Sequence, residues 1–226
     1  MLRNSPLADI FKQRLRAFLK AGVKNSRTVK IEKNANVYTC GDKSESIYFI
    51  ESGQIKLLML SPAGKECLLA IRSAGDVFGE LSLTHLSERR ETATAMMETV
   101  LKKIPPSEFL LSLSANSLLE GFVRYLAGKI SEQQDMIGDL VTIDSEQRLG
   151  KTLLRLAERE GGSDSPGTRF TYRITHEELS EIVGTTRPRI SKFMQRFRKL
   201  GLIGISTDRF IIVKEKNLTD YLDRFN

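Results

Sequence analysis

Residues 173–212 read RITHEELSEIVGTTRPRISKFMQRFRKLGLIGISTDRFII, and their spacing predicts two short helices joined by a tight turn, then a small β-hairpin. Thr175 stands at an N-cap position, and Glu178 three residues later completes a capping box. Leu179, Ile182 and Val183 form one short apolar face. Gly184 supplies the turn, Thr186 is placed to cap the second helix, and Pro188 falls in its first turn, where proline is tolerated. On that helix Ile190, Phe193, Met194 and Phe197 recur at steps of three and four, the period of a buried helical stripe. The opposite arc holds Arg187, Arg189, Ser191, Lys192, Gln195, Arg196, Arg198 and Lys199. Gly201 follows the last turn, where a left-handed residue closes a helix.

Between Glu181 and Asp208 there is no acidic residue. A solvated helix mixes charge signs, so six cations without a carboxylate point to a polyanion as partner. Helix, glycine turn and a second helix with a basic outer face make the helix-turn-helix layout, which sets the second helix in the DNA major groove. A surface helix hairpin with a solvated basic face is the plainer alternative, but caps, turn, apolar face and one-signed arc all agree on the first.

The 226-residue chain is 40% hydrophobic and 28% charged, ordinary for a globular protein with room for one or two cores. No apolar run reaches membrane-spanning length and the first residues lack the apolar stretch of a signal peptide, so a cytoplasmic protein without membrane contact is expected. Cys40 and Cys67 match no metal-site spacing, and free thiols are expected. The net charge of +7 is uneven: residues 1–30 carry eight Lys/Arg against Asp9 alone, residues 31–144 carry 11 against 16 Asp/Glu, and residues 145–226 carry 16 against 11. An acidic middle followed by a basic end argues for two domains, with nucleic acid meeting the second.

Residues 7–20 fit an amphipathic helix with Leu7, Ile10, Phe11, Leu15, Phe18 and Leu19 on one side. From Val29 to Ile104 the pattern turns to short apolar or alternating runs, punctuated by Gly41, Gly53, Gly64 and Gly75 at intervals of 12, 11 and 11 residues. Even spacing of turns between short strands is the mark of an antiparallel sandwich or barrel, and Ser61-Pro62-Ala63-Gly64-Lys65 reads as one of its hairpin turns. Phe78-Gly79-Glu80-Leu81-Ser82-Leu83 begins as a strand and becomes a short helical segment; Arg89, Arg90 and Thr92 follow. Gly79 permits close backbone approach and a helix start offers N–H groups to an anion. A phosphate cradle and a plain barrel corner both use these parts. Residues 107–141 read as helical, with Ser107 as cap and Leu119, Phe122, Leu126, Ile130, Gln133, Ile137 and Leu140 as a coiled-coil seam suited to a parallel dimer. Asp139 to Asp144 reads as a hinge, Ser145–Glu160 as another amphipathic helix, Gly161–Gly167 as a loop, 203–213 as a wing and 217–225 as a terminal helix.

This order resembles the Crp/Fnr family of bacterial transcription regulators over nearly the whole chain. The resemblance rests on DVFGELSL (76–83), Arg90 ten positions after Glu80, IGDLVTIDSEQRLGKTLLRLA (137–157) and ITHEELSEIVGTTRPRISKFMQRFRKLGLI (174–203). It implies an α+β chain: an N-terminal helix and antiparallel β jelly roll of the cyclic-nucleotide-binding type (1–106), a dimerisation helix (107–141) and a C-terminal winged helix-turn-helix (142–226). It also implies a homodimer on a palindromic operator in double-stranded DNA, with RNA polymerase as a further partner. The DNA-facing set would be Thr175, Thr185, Thr186, Arg187, Pro188, Arg189, Ser191, Lys192, Gln195 and Arg196. Arg187 matches a guanine-reading arginine and Lys192 a second base-reading position. Pro188 replaces a glutamate of catabolite activators, so the half-site departs from theirs at one base.

The effector set implied by resemblance is Phe78, Gly79, Glu80, Leu81, Ser82, Arg90, Glu91, Thr92, Gln133 and Gln134. Glu80 matches the ribose-binding glutamate and Arg90 the arginine that pairs with the cyclic phosphate. Glu91, however, replaces a phosphate-contacting serine, and a carboxylate there repels the anion. Gln133 and Gln134 replace a threonine–serine pair that meets the base. Cyclic AMP or cyclic GMP, another metabolite, and a regulator active without ligand all stay open. An iron–sulfur sensor lacks its cysteines, and a haem sensor would have His85 alone, since His176 belongs to the helix-turn-helix cap. With no GxSxG, P-loop or HExxH motif, no catalytic or metal residues are expected. A cyclic-nucleotide-binding signalling module without DNA binding is the competing function.

Overall fold

A computed structural model describes residues 6–21, 23–60, 66–84, 87–160 and 167–225. The expected 61–65 turn, His85 and most of the Gly161–Gly167 loop lie outside these. The chain opens with α1 (Pro6–Ala21), then β1 (Arg27–Ile31), β2 (Asn36–Tyr38), β3 (Ile47–Ser52), β4 (Gln54–Leu60), β5 (Glu66–Ser73) and β6 (Val77–Phe78). A single 3₁₀ turn at Glu80–Leu83 leads to β7 (Thr92–Ala95) and β8 (Thr99–Ile104). The strands form two four-stranded antiparallel sheets, ordered β1-β8-β3-β6 and β2-β7-β4-β5.

Strand alternation explains the layering. In β3, Tyr48 and Ile50 join Tyr38, Ile55, Leu57, Phe78, Ala93, Ala95 and Leu101 in the core between the two sheets. Ile47 and Phe49, pointing the other way, join Val77 and Ile104 in a second core with Phe11, Leu15 and Leu19 of α1. A strand buried on both faces therefore reads IYFI, apolar without alternation. Ile10, expected on the buried side of α1, is instead 50% exposed; the sheet covers only the narrow stripe of Phe11, Leu15 and Leu19, four residues apart.

The segment expected as one helix from 107 is two: α2 (Pro106–Ala115) and α3 (Leu119–Thr142). The break falls where Ser117 takes φ 53°, a left-handed conformation that ends a helix. Pro105, not Ser107, is the N-cap of α2. Along α3, Phe122 and Tyr125 are buried, whereas Leu119, Val123, Ile130, Ile137, Leu140 and Val141 are exposed.

Beyond it come α4 (Ser145–Glu160), β9 (Thr168–Arg169), α5 (His176–Val183), α6 (Arg187–Lys199), β10 (Ile203–Ile205), β11 (Ile211–Val213) and α7 (Glu215–Leu222). The wing is a three-stranded sheet, β10-β11-β9, one strand more than the expected hairpin. Asp144 caps α4 by accepting from the backbone of Glu146 and Gln147 at 2.8 and 2.9 Å. The expected hinge is braced: Asp139 accepts from Lys151 at 2.8 Å and pairs with Arg155, and Arg148 donates to Ile143 O and Val183 O. The chain forms two compact units whose boundary falls inside α3, between Ile130 and Ser131.

Candidate nucleic-acid interface and barrel corner

The capping box is present as read: the Thr175 hydroxyl accepts from Glu178 N at 3.1 Å and the Glu178 carboxylate accepts from Thr175 N at 2.9 Å. α5 ends at Gly184 with φ 68°, where a side chain would be strained. Leu179 and Val183 of α5 and Ile190, Met194 and Phe197 of α6 are all buried, and Phe197 packs edge-on against Tyr221 of α7 at 5.8 Å. Burying an aromatic of this size is worth roughly 1.5–3 kcal/mol, so α6 is held by its apolar stripe and its other arc is left to solvent. Thr186 is the N-cap of α6, but its side chain makes no cap hydrogen bond.

The DNA-facing set divides on this geometry. Thr186, Arg187, Pro188, Arg189, Lys192 and Gln195 are exposed. Arg196 is exposed too, yet its guanidinium lies 3.1 Å from Glu146, whose other oxygen accepts from the Tyr221 hydroxyl at 2.8 Å. Ser191 is half-buried and bonds His176 Nδ1 at 2.9 Å, pinning α6 to α5. Burial and the nearby Arg187 charge hold His176 below its ordinary value. Thr175 uses its hydroxyl for the cap, and Thr185 Oγ1 is buried without a partner. The wing adds cations that periodicity did not single out. Arg169 stacks over Phe210 at 4.4 Å and pairs with Asp208, Arg173 donates to Asp208 O at 3.1 Å, and Arg209 sits exposed at the tip with φ 66°.

At the barrel corner Gly79 takes φ 75°, and a Cβ there would lie 2.9 Å from Arg89 Nη1 and 3.1 Å from Ser46 O, so no larger residue fits. Phe78 is buried and stacks on Tyr48 at 5.0 Å. The ten-residue spacing from Glu80 singles out Arg90; in the structure Arg90 is exposed, while Arg89 is 4% exposed and faces inward. The reason is register. Arg89 N donates to Asp42 O, and Gly41 N to Arg89 O, an extended pairing in which alternate residues face inward. Arg89 donates to Gly79 O at 3.1 Å and Ser46 O at 2.5 Å and lies 4.2 Å over the Tyr38 ring. Glu91, on the same face, is buried and accepts from the Tyr38 hydroxyl at 2.9 Å; burial, then the carboxylate, pushes that phenol far up. Thr92 accepts from Cys40 N at 3.1 Å. Leu81 is exposed and Ser82 half-buried; Gln133 and Gln134 are both exposed on α3.

The residue of α3 that does reach the corner is Lys129, which motif reading passed over. Its ammonium donates to Glu80 at 2.8 Å and to Val77 O at 2.7 Å, and lies 4.7 Å from the centre of the Tyr125 ring. Burial, then Arg72, pulls the Lys129 value down to about 8 although Glu80 opposes them. Burial alone would raise the Glu80 carboxyl, but Lys129 outweighs it and holds the group below its ordinary value. Beside this pair, Tyr125 accepts from Val77 N at 3.1 Å, and Lys12 pairs with Asp76 at 2.8 Å.

Comparison with known proteins finds a match for each of these two parts of the chain. A cyclic nucleotide-binding domain model matches residues 28–116, and a Crp-like helix-turn-helix domain model matches residues 147–221. A CRP-like cAMP-activated global transcriptional regulator of Mycobacterium tuberculosis is 29% identical over 213 residues, covering 93% of this chain and 95% of the relative. A global nitrogen regulator of Nostoc sp. is 26% identical, covering 96% of each. The solved structure of FixK2 from Bradyrhizobium japonicum shares the fold at a TM-score of 0.74 and 18% identity, covering 86% of this chain and 96% of that one. With a basic helix-turn-helix and a nucleotide-domain barrel joined by one long helix, the chain belongs to the Crp/Fnr family of transcription regulators.

Proposed function

We propose that this regulator acts as a homodimer in the cytoplasm, each copy laying α6 in the major groove of one half of a two-fold operator. The observation that carries the reading is the exposed arc of Arg187, Arg189, Lys192 and Gln195, which has no acidic residue on its helix. Arg187, at the start of α6, is the guanine reader, and Lys192, five residues on, is a second base-reading position. Arg189 and the wing's Arg209 meet phosphates, which position without specifying. Pairing uses the exposed stripe of α3, where Val123, Ile130 and Ile137 recur every seven residues, as in a coiled-coil seam. RNA polymerase is the partner through which bound dimers act on transcription.

The test compares binding to a selected duplex and to random duplex at several salt concentrations. Arg187→Ala should weaken specific binding by about 1–3 kcal/mol and leave random binding nearly unchanged. Equal weakening of both would make Arg187 a phosphate contact. A cyclic nucleotide is the effector suggested by the matched domain and by the name of the M. tuberculosis relative. A second reading, a regulator that binds DNA without one, is favoured by the Lys129–Glu80 and Tyr38–Glu91 pairs at the barrel corner.

A further inference from the structure

Lys129 and Tyr38 bring to the barrel, from the chain itself, what a ligand would otherwise have to bring. The Lys129 side chain is 9% exposed and that of Glu80 22%, and their contact is 2.8 Å. Two further groups share the ammonium: the Val77 carbonyl and the face of Tyr125. On the inner face the Arg89 guanidinium donates to two backbone carbonyls through its terminal nitrogens and lies over the Tyr38 ring, while its Nε is buried without a partner, and Glu91, 6% exposed, takes the Tyr38 hydroxyl.

A cyclic nucleotide carries two recognisable polar parts, a neutral ribose hydroxyl and a phosphodiester anion. To receive the hydroxyl, Glu80 must give up Lys129, which leaves a buried ammonium without its counter-charge. For the anion Arg89 has only its buried Nε to spare; a two-point contact takes it from Gly79 O and Ser46 O, which strands two carbonyls, and the phosphate must also sit near the Glu91 carboxylate, a like charge. Neither exchange is favourable.

We infer that this barrel excludes cyclic nucleotides, that Lys129 and Glu91 together decide it, and that Lys129 ties α3 to the Glu80 corner without any ligand. DNA binding therefore needs no added nucleotide; this last consequence rests on the DNA-binding reading above.

The experiment uses the full chain and a duplex that it selects from a random pool. Cyclic AMP and cyclic GMP are each added up to 1 mM (roughly a hundredfold above a 10 µM dissociation constant, enough for a clear rise in melting temperature). The wild type should show no rise with either, and its affinity for the selected duplex should change less than about twofold. Lys129→Met combined with Glu91→Ser frees Glu80 and removes the repelling carboxylate, and should gain a melting rise that grows with cyclic AMP. Lys129→Arg keeps a counter-charge and should stay unresponsive. A wild-type melting rise with either nucleotide, or a tenfold tightening on DNA, overturns the inference and leaves the DNA-binding reading standing. Failure to prefer any selected duplex, with or without nucleotide, defeats the DNA-binding reading instead. If the double variant does not fold, the two wild-type measurements decide alone.

Discussion

Arg187 and Arg196 carry the same charge on the same helix, yet their surroundings give them different work. Arg196 lies against Glu146 of α4, which is itself held by Tyr221, so part of its charge is spent inside the unit, whereas Arg187 stands exposed in the first turn of α6. Arg196→Ala should therefore leave the ratio of specific to random DNA binding within about twofold, and as a half-exposed pair it should cost about 0–1 kcal/mol of stability; gel shifts and urea melts measure both. Lys129 supports a prediction in pH. Its value falls from 10.5 to about 8 in the fold, so between those limits the unfolded chain holds a proton that the folded chain has released. Stability contributed at this site rises with pH across that window. Wild-type melting, measured against Lys129→Met, should thus improve from pH 8 to 10.5, and a flat difference would contradict the burial of this side chain.

The helix-turn-helix is held by local devices, which makes single changes informative. Gly184 has φ 68°, and an added Cβ would come within 3.1 Å of Leu140. Gly184→Ala should destabilise the unit by roughly 1 kcal/mol or more, read as a lower urea midpoint with an unchanged slope. Such devices were also the legible ones: the Thr175–Glu178 box, the Gly184 turn and the Ile190, Met194, Phe197 stripe all lie within one or two helical turns of sequence. What was not legible depends on distant partners. Arg89 faces inward because residues 41–42 pair with it, and nothing within 89–92 announces that register. Lys129 looks like any exposed cation of an amphipathic helix until Glu80 and Val77 are brought beside it. The break at Ser117 has no glycine or proline to mark it, and β9, at two residues, is too short to show alternation.

At the level of the molecule, six large apolar side chains stand exposed along α3, more than a lone surface helix usually shows. Three of them, Val123, Ile130 and Ile137, recur every seven residues, and the proposed pairing with a second copy would cover them. Ile130→Glu with Ile137→Glu should yield monomers by sedimentation and weaken operator binding at least tenfold, while each monomer stays folded; a dimer that survives the change would place the interface elsewhere. Charge is divided to match: residues 31–144 carry five more acids than bases, and residues 145–226 five more bases than acids, so polyanion is drawn to the end that bears α6 and the wing.

The most direct measurement is to sequence the duplexes that the full chain enriches from a random pool. The account predicts a two-fold symmetric motif with half-sites about 34 Å apart, recovered without added nucleotide and lost in Arg187→Ala. A pool with no enriched motif, or a motif that survives Arg187→Ala unchanged, would contradict it.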